Sequence, residues 1–247
     1  MLLKDLYPNY DYNIDITGVA TDSRFVMPGN LFLPLSGTNF SGNEFIIDAI
    51  NKGAVAIISN EVMENLVVPV IIVDDVEKEL MRLVDIIYQK PYNELTLIGA
   101  TGTDGKTSVS TLTNYLLNSF SSCANIGTNG ITYKNEVMDN LFTTPLLTEN
   151  YRLLRTFVDN HIQYASMEVS SQGIANNRIK GILYDYAIFT NLSHEHLDTH
   201  KTMHNYFLTK LKLFKQLKKN GVMIVNKDDH YAKFFEKYPN VIYYSLF

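Results

Sequence analysis

Apolar positions in this chain recur with two different periods. Over 45–52 and 76–89 they return every three or four residues, which predicts amphipathic helices, the first stopped by Gly53. The short apolar runs 55–59 and 68–73 between them read as buried strands. Lys90-Pro91-Tyr92-Asn93 interrupts the pattern. Beyond it, strands over 95–99, 164–169, 184–190, 221–225 and 241–246 alternate with helices over 106–120, 148–161 and 203–217. The expected class is therefore α/β, with a small N-terminal α/β domain over 1–90 and a second domain over 91–247. The second should hold a mainly parallel sheet covered by helices, with ligands at the carboxyl ends of its strands. Its last strand, Val241-Ile-Tyr-Tyr-Ser-Leu-Phe247, resembles a core strand with no polar tail. A doubly wound domain would continue past it, so this domain is expected to be incomplete, either truncated or completed by another chain.

Composition narrows the picture by exclusion. The 247 residues are 46% hydrophobic, as in a soluble globular protein. The net charge is -5, from 21 basic and 26 acidic residues with no basic block, which argues against a nucleic-acid partner. A single cysteine, Cys123, rules out an internal disulfide framework and suits a reducing, cytoplasmic setting. No run approaches the roughly 20 apolar residues of a membrane span, and the N-terminus lacks a leader pattern. Oligomeric state is not legible.

Gly99-Ala-Thr-Gly102-Thr103-Asp104-Gly105-Lys106-Thr107-Ser108 lies between a strand and a helix. Small residues there let backbone N–H groups face phosphates, and the helix N-terminus adds partial positive charge. Lys106 can reach the outer phosphates and the Thr107 hydroxyl can sit on Mg²⁺. Nucleoside triphosphate binding follows, although Ala100 stands where the general pattern has glycine.

Three polar clusters follow, each after a predicted strand or on the helix beyond it. Met167-Glu168-Val169-Ser170-Ser171 ends a strand in a carboxylate, which can cap a helix or hold Mg²⁺. Asn191-Leu-Ser-His-Glu-His196-Leu-Asp198-Thr-His200 holds several histidines. His196, His200 and His204 have i, i+4 spacing, so zinc is weighed, yet structural zinc usually recruits cysteine and the phosphate loop already calls for Mg²⁺. Tyr206-Phe207-Leu-Thr-Lys210-Leu211-Lys-Leu-Phe214 sets Lys210 beside an apolar helix face. Such a lysine either snorkels to water or, desolvated, becomes a reactive amine.

Together these segments resemble the Mur ligase family, ATP-dependent enzymes that add amino acids to the peptidoglycan precursor. The nearest pattern is that of the members adding the third residue. The likeness runs from Asp22 onward. It comprises Asp22-Ser23-Arg24, Pro28-Gly29-Asn-Leu31-Phe32, Gly37 and Phe45-Ile46, then the phosphate loop and Thr143-Thr144-Pro145. Glu168-Val-Ser-Ser with Arg178, Phe189-Thr-Asn-Leu-Ser with His196-Leu-Asp, and Lys210 complete it. The resemblance implies that Gly102, Thr103, Asp104, Gly105, Lys106, Thr107, Ser108 and Asn191 bind ATP. Thr107, Glu168, His196 and a CO₂-derived carbamate on Lys210 would attend the metal, with Lys106, Glu168, His196 and Lys210 catalytic. Ser23, Arg24, Thr38 and Asn39 would contact the UDP portion of a UDP-N-acetylmuramoyl-dipeptide. Thr143, Thr144, Ser170, Asn176 and Arg178 would hold its muramoyl-peptide, and an amino acid would be the second partner. His194 stands where the family has arginine, Ser41-Gly42-Asn43 replaces a common Asp-Gly-His, and Asn176 replaces a glutamine. Members also carry a C-terminal domain that binds the incoming amino acid and closes over ATP; no sequence here corresponds to it. A module that binds ATP or UDP-muramoyl-peptide without ligating stays open as the alternative.

Overall fold

The computed structural model describes residues 1–35, 41–134 and 136–246. Thr38, Asn39 and Gly37 fall outside the described residues. The chain divides into two compact units, Met1–Lys90 and Pro91–Phe247.

The first unit runs α1 (Leu3–Leu6), β1 (Gly18–Ala20), β2 (Asn30–Phe32), α2 (Ile46–Asn51), β3 (Ala56–Ser59), β4 (Val70–Ile72) and α3 (Val76–Ile87). Its four strands form one sheet in the order β1-β2-β3-β4, every neighbour parallel. Ala20, Phe32, Ile46, Ala49 and Ile57 close its core. Asp75 caps α3 by accepting from the Lys78 N–H. Strands β1 and β2 escape periodicity because each is only three residues long and buried throughout.

The second unit runs β5 (Thr96–Thr101), α4 (Lys106–Leu117), β6 (Cys123–Gly127), β7 (Gly130–Tyr133), β8 (Glu136–Met138), α5 (Leu147–Asp159), β9 (Tyr164–Glu168), α6 (Ser171–Ala175), β10 (Tyr184–Phe189), α7 (Leu197–His200), α8 (Met203–Phe214), β11 (Leu217–Asn226) and β12 (Val241–Tyr244). The sheet order is β12-β11-β10-β5-β9-β6-β7-β8. Strands β12 through β6 are parallel, as the α/β alternation predicts, and only the β6-β7-β8 meander is antiparallel. That meander is invisible to the apolar pattern because Asn125, Gly127 and Gly130 break it. β11 starts at Leu217, four residues before the expected strand, and the preceding helix stops at Phe214.

Strand β5 lies between β10 and β9. Chain order reverses there, so the loops leaving β5, β9 and β10 open a crevice at their carboxyl ends. Those three loops carry the phosphate loop, Glu168 and Asn191.

Candidate active site

The phosphate loop is clamped from the β10 side. Asn191 accepts from the Asp104 N–H with its side-chain oxygen (2.9 Å) and donates to the Asp104 carbonyl (3.2 Å), while its own carbonyl accepts from the Thr103 N–H (3.0 Å). The Thr190 hydroxyl donates to the Asp104 carbonyl at 2.6 Å. This approach requires glycine at 102, where a Cβ would lie 1.8 Å from the Thr190 hydroxyl. Thr103 is buried, accepts from the Ser193 N–H (2.9 Å) and shares a hydrogen bond with the Tyr206 hydroxyl (3.4 Å). Lys106 folds back onto its own loop, donating to the Gly102 (3.0 Å) and Thr103 (2.6 Å) carbonyls. Burial holds its pKa below the ordinary lysine value, against the opposing pull of Glu168, Asp104 and Glu195. Gly105 caps α4 at the loop's end, whereas Ser108 is exposed on α4 and does not line the cleft described below.

Glu168 ends β9 and is 1% exposed. Its carboxylate accepts from the Thr107 hydroxyl (2.8 Å), the Thr128 N–H (2.8 Å) and the Thr128 hydroxyl (3.2 Å). Burial of a charge needs such partners. Gly127 makes room for it, since a Cβ there would lie 2.2 Å from Glu168 Oε1. Thr144 holds the chain as it leaves β9: its hydroxyl donates to the Glu168 carbonyl (3.0 Å) and accepts from the Ser170 N–H (2.9 Å). Ser170 in turn caps α6 by accepting from the Gly173 N–H. Thr143 meets Thr128 hydroxyl to hydroxyl at 3.0 Å.

Lys210 projects from α8, 1% exposed, and donates to the Gly102 carbonyl at 2.6 Å. Burial, aided by the charge of Lys106, pulls its pKa from 10.5 down to about 7, against the opposing effect of Glu195 and Asp104. Its ammonium lies 4.5 Å from the Tyr206 ring centroid. His196 immediately precedes α7 with a positive φ of 54 and lies at the cleft with its side chain about half exposed. His200 is buried and stacks on Tyr206; burial first, then the charges of Lys210 and His196, lower its pKa.

These groups surround one cleft of about 380 Å³, lined among others by Lys106, Thr107, Thr143, Glu168, Ser170, Arg178, His196 and Lys210. Tyr206 from the Lys210 segment also lines it, as do Thr128, Phe142 and Gln172, which carry no motif signal in the sequence. Asn176, at the C-terminal end of α6, is exposed and does not line the cleft. In the first unit Ser23 is buried and hydrogen-bonds Asp48, and Arg24 is paired with Asp22 at 2.6 Å.

The donor set facing the phosphate loop is hard oxygen, from Glu168 and Thr107. That suits Mg²⁺, which takes one or two carboxylates and completes its shell with phosphates and water. Among the described residues no three His, Cys, Asp or Glu side chains gather into a metal-binding group, so the 196, 200, 204 spacing does not build a zinc centre.

Residues 100–246 match the Mur ligase middle domain, well over half of the chain, and residues 15–94 match the Mur ligase family, catalytic domain. The chain belongs to the Mur ligase family. A UDP-N-acetylmuramoyl-L-alanyl-D-glutamate–2,6-diaminopimelate ligase of Gloeobacter violaceus is 38% identical over 237 residues, 95% of this chain and 48% of that protein. UDP-N-acetylmuramyl-tripeptide synthetase 2 of Oceanobacillus iheyensis is 37% identical over 231 residues, 90% of this chain and 47% of that protein. This Mur ligase chain thus spans about half the length of the curated relatives it matches. A solved diaminopimelate ligase structure superposes with a TM-score of 0.76 at 26% identity, covering 100% of this chain and 52% of that one. The MurF ligase of Thermotoga maritima in complex with ADP shares the fold at a TM-score of 0.65 and 22% identity, over 94% of this chain and 50% of its own.

Proposed function

We propose that this chain carries the ATP site and the acceptor site of a ligase that extends UDP-N-acetylmuramoyl-L-alanyl-D-glutamate by one amino acid. The observation that supports it most is the convergence, in one cleft, of the phosphate-loop Lys106, the Thr107–Glu168 pair and the buried Lys210 on the Gly102 carbonyl. The first unit, with Ser23 and Arg24, would take the UDP portion. Thr38 and Asn39 belong to the same proposal.

ATP would enter with its phosphates against the loop N–H groups at the start of α4. Lys106 would exchange its two loop carbonyls for phosphate oxygens, a gain because the phosphate acceptor is itself charged whereas a carbonyl is neutral. Thr107, Glu168 and His196 would hold Mg²⁺, whose chemistry is to offset charge on the phosphoryl oxygens. Lys210 as a free amine would add CO₂, forming an N–C bond and releasing a proton, and the resulting carbamate would supply further oxygen ligands. Arg178, Thr143, Thr144 and Ser170 would hold the acceptor peptide. A carboxylate of its glutamate attacks the γ-phosphorus in line, ADP leaves, and an acyl phosphate results. The amine of the incoming amino acid displaces phosphate from that acyl group, so no protein nucleophile is required. The setting would be the cytoplasm, where the free thiol of Cys123 stays reduced.

The alternative is a module that binds ATP or the UDP-muramoyl-peptide without ligating. Calorimetric titration with Mg-ATP tests the shared part of both readings. Lys106→Ala should weaken binding about 10- to 100-fold, the loss of one hydrogen bond to a charged group. Equal affinity in wild type and variant would sink the assignment. Tripeptide formed by this chain alone, measured by product mass, separates the ligase from the module.

A further inference from the structure

Arg178 is a half-buried cation with no carboxylate partner among the described residues. One terminal nitrogen donates to the Thr144 carbonyl at 2.9 Å, and its Nε is buried with no hydrogen-bond partner. Its pKa is depressed by burial alone, with no acidic side chain acting to raise it. What faces the guanidinium is an aromatic ring: the Arg178 Cζ lies 4.1 Å from the Phe142 ring centroid. Both partners stand on fixed backbone. The Arg178 N–H donates to the Gly173 carbonyl (2.9 Å) and its carbonyl accepts from the Asn150 side chain (2.9 Å). Two residues after Phe142, Thr144 is fully buried and bonded to Glu168 and Ser170.

A carboxylate at position 142 would orient the guanidinium equally well but would cancel its charge. A ring face attracts the cation through its quadrupole and leaves the terminal N–H groups that Thr144 does not take free for a ligand. Both side chains line the same cleft as Lys106 and Glu168. We propose that Phe142 is a positioning residue: its ring holds the Arg178 guanidinium at the cleft unneutralised, available to a carboxylate of the acceptor's glutamate. The inference rests on the acceptor reading given above and adds to it the residue that sets the geometry of carboxylate recognition.

Two measurements on the 247-residue chain test it. In the first, wild type, Phe142→Leu and Phe142→Tyr are titrated by calorimetry with UDP-muramoyl-L-alanyl-D-glutamate. The same proteins are titrated with its analogue in which both glutamate carboxylates are amides. Phe142→Leu keeps apolar bulk and removes the ring, so it should bind the acid about five- to tenfold more weakly. It should bind the diamide as wild type does, with Mg-ATP affinity unmoved, and Phe142→Tyr should restore acid binding. Unchanged acid binding in Phe142→Leu, or equal losses for acid and diamide, would overturn the inference while leaving the ligase reading intact. In the second, the Arg178 δ-methylene and Nε–H proton shifts are read by NMR without ligand. Ring-current displacement in wild type that disappears in Phe142→Leu or Phe142→Met supports the positioning, and its persistence overturns it. A wild type that binds neither acid nor diamide overturns the acceptor reading and the carboxylate recognition with it, while the NMR result still decides whether Phe142 holds Arg178.

Discussion

Replacing Lys210 by methionine should stabilise the folded chain, and by an amount that depends on pH. Lys210 is 1% exposed and has exchanged water for one carbonyl and a ring face. Its folded pKa of about 7 lies far below the 10.5 of an exposed lysine, so in the window between them the unfolded chain binds more protons. Stability therefore rises as pH increases through that window, and the penalty is fully present below the folded pKa. Linkage with these two values gives a penalty of about 4 kcal/mol at pH 7 and about 2 kcal/mol at pH 9. Lys210→Met removes it at every pH. The Gly102 carbonyl is not orphaned by the change, because Lys106 also donates to it. The assay is denaturant unfolding of both proteins, followed by far-UV circular dichroism at the two pH values. Buffers free of CO₂ and Mg²⁺ keep the amine unmodified. The stability difference should widen by about 2 kcal/mol from pH 9 to pH 7, in favour of the variant. A difference that stays constant, or that widens toward high pH, would refute the buried, desolvated amine.

Two further outcomes follow from the same cleft. Gly127→Ala sets a Cβ 2.2 Å from Glu168 Oε1 and must turn the carboxylate off its threonine partners. It should cost about 1–3 kcal/mol in thermal or denaturant unfolding, and Mg-dependent ATP affinity should fall with it; a variant matching wild type in both would show that Glu168 is not held there. With ¹³C-bicarbonate and Mg²⁺, a carbamate carbonyl resonance should appear for wild type and be missing from Lys210→Met. A signal of equal strength in both would place the carbamate elsewhere, and none in wild type would remove Lys210 from the metal shell.

The sequence by itself determined the fold class, because short apolar runs alternating with helical periods are satisfied by a mainly parallel sheet flanked by helices. It also determined the phosphate loop, since small residues, a lysine and a threonine at a strand-to-helix junction are a local signal that needs no distant partner. Glu168 and Lys210 could be singled out for the same reason, each marked by its own strand or helix. What the tertiary structure decided is which distant groups meet. That Lys210 on α8 reaches the carbonyl of Gly102, and that burial there lowers its pKa, depends on β10 lying next to β5. Thr128 enters the site through a meander whose glycine and asparagine give no periodic signal, and Asn176, chosen by its place in a motif, ends up exposed on the far end of a short helix. Phe142 reads in sequence as one more apolar residue before Thr143-Thr144-Pro145. Its pairing with Arg178 is a contact between a loop and a helix end 36 residues apart, and nothing in either local pattern encodes it.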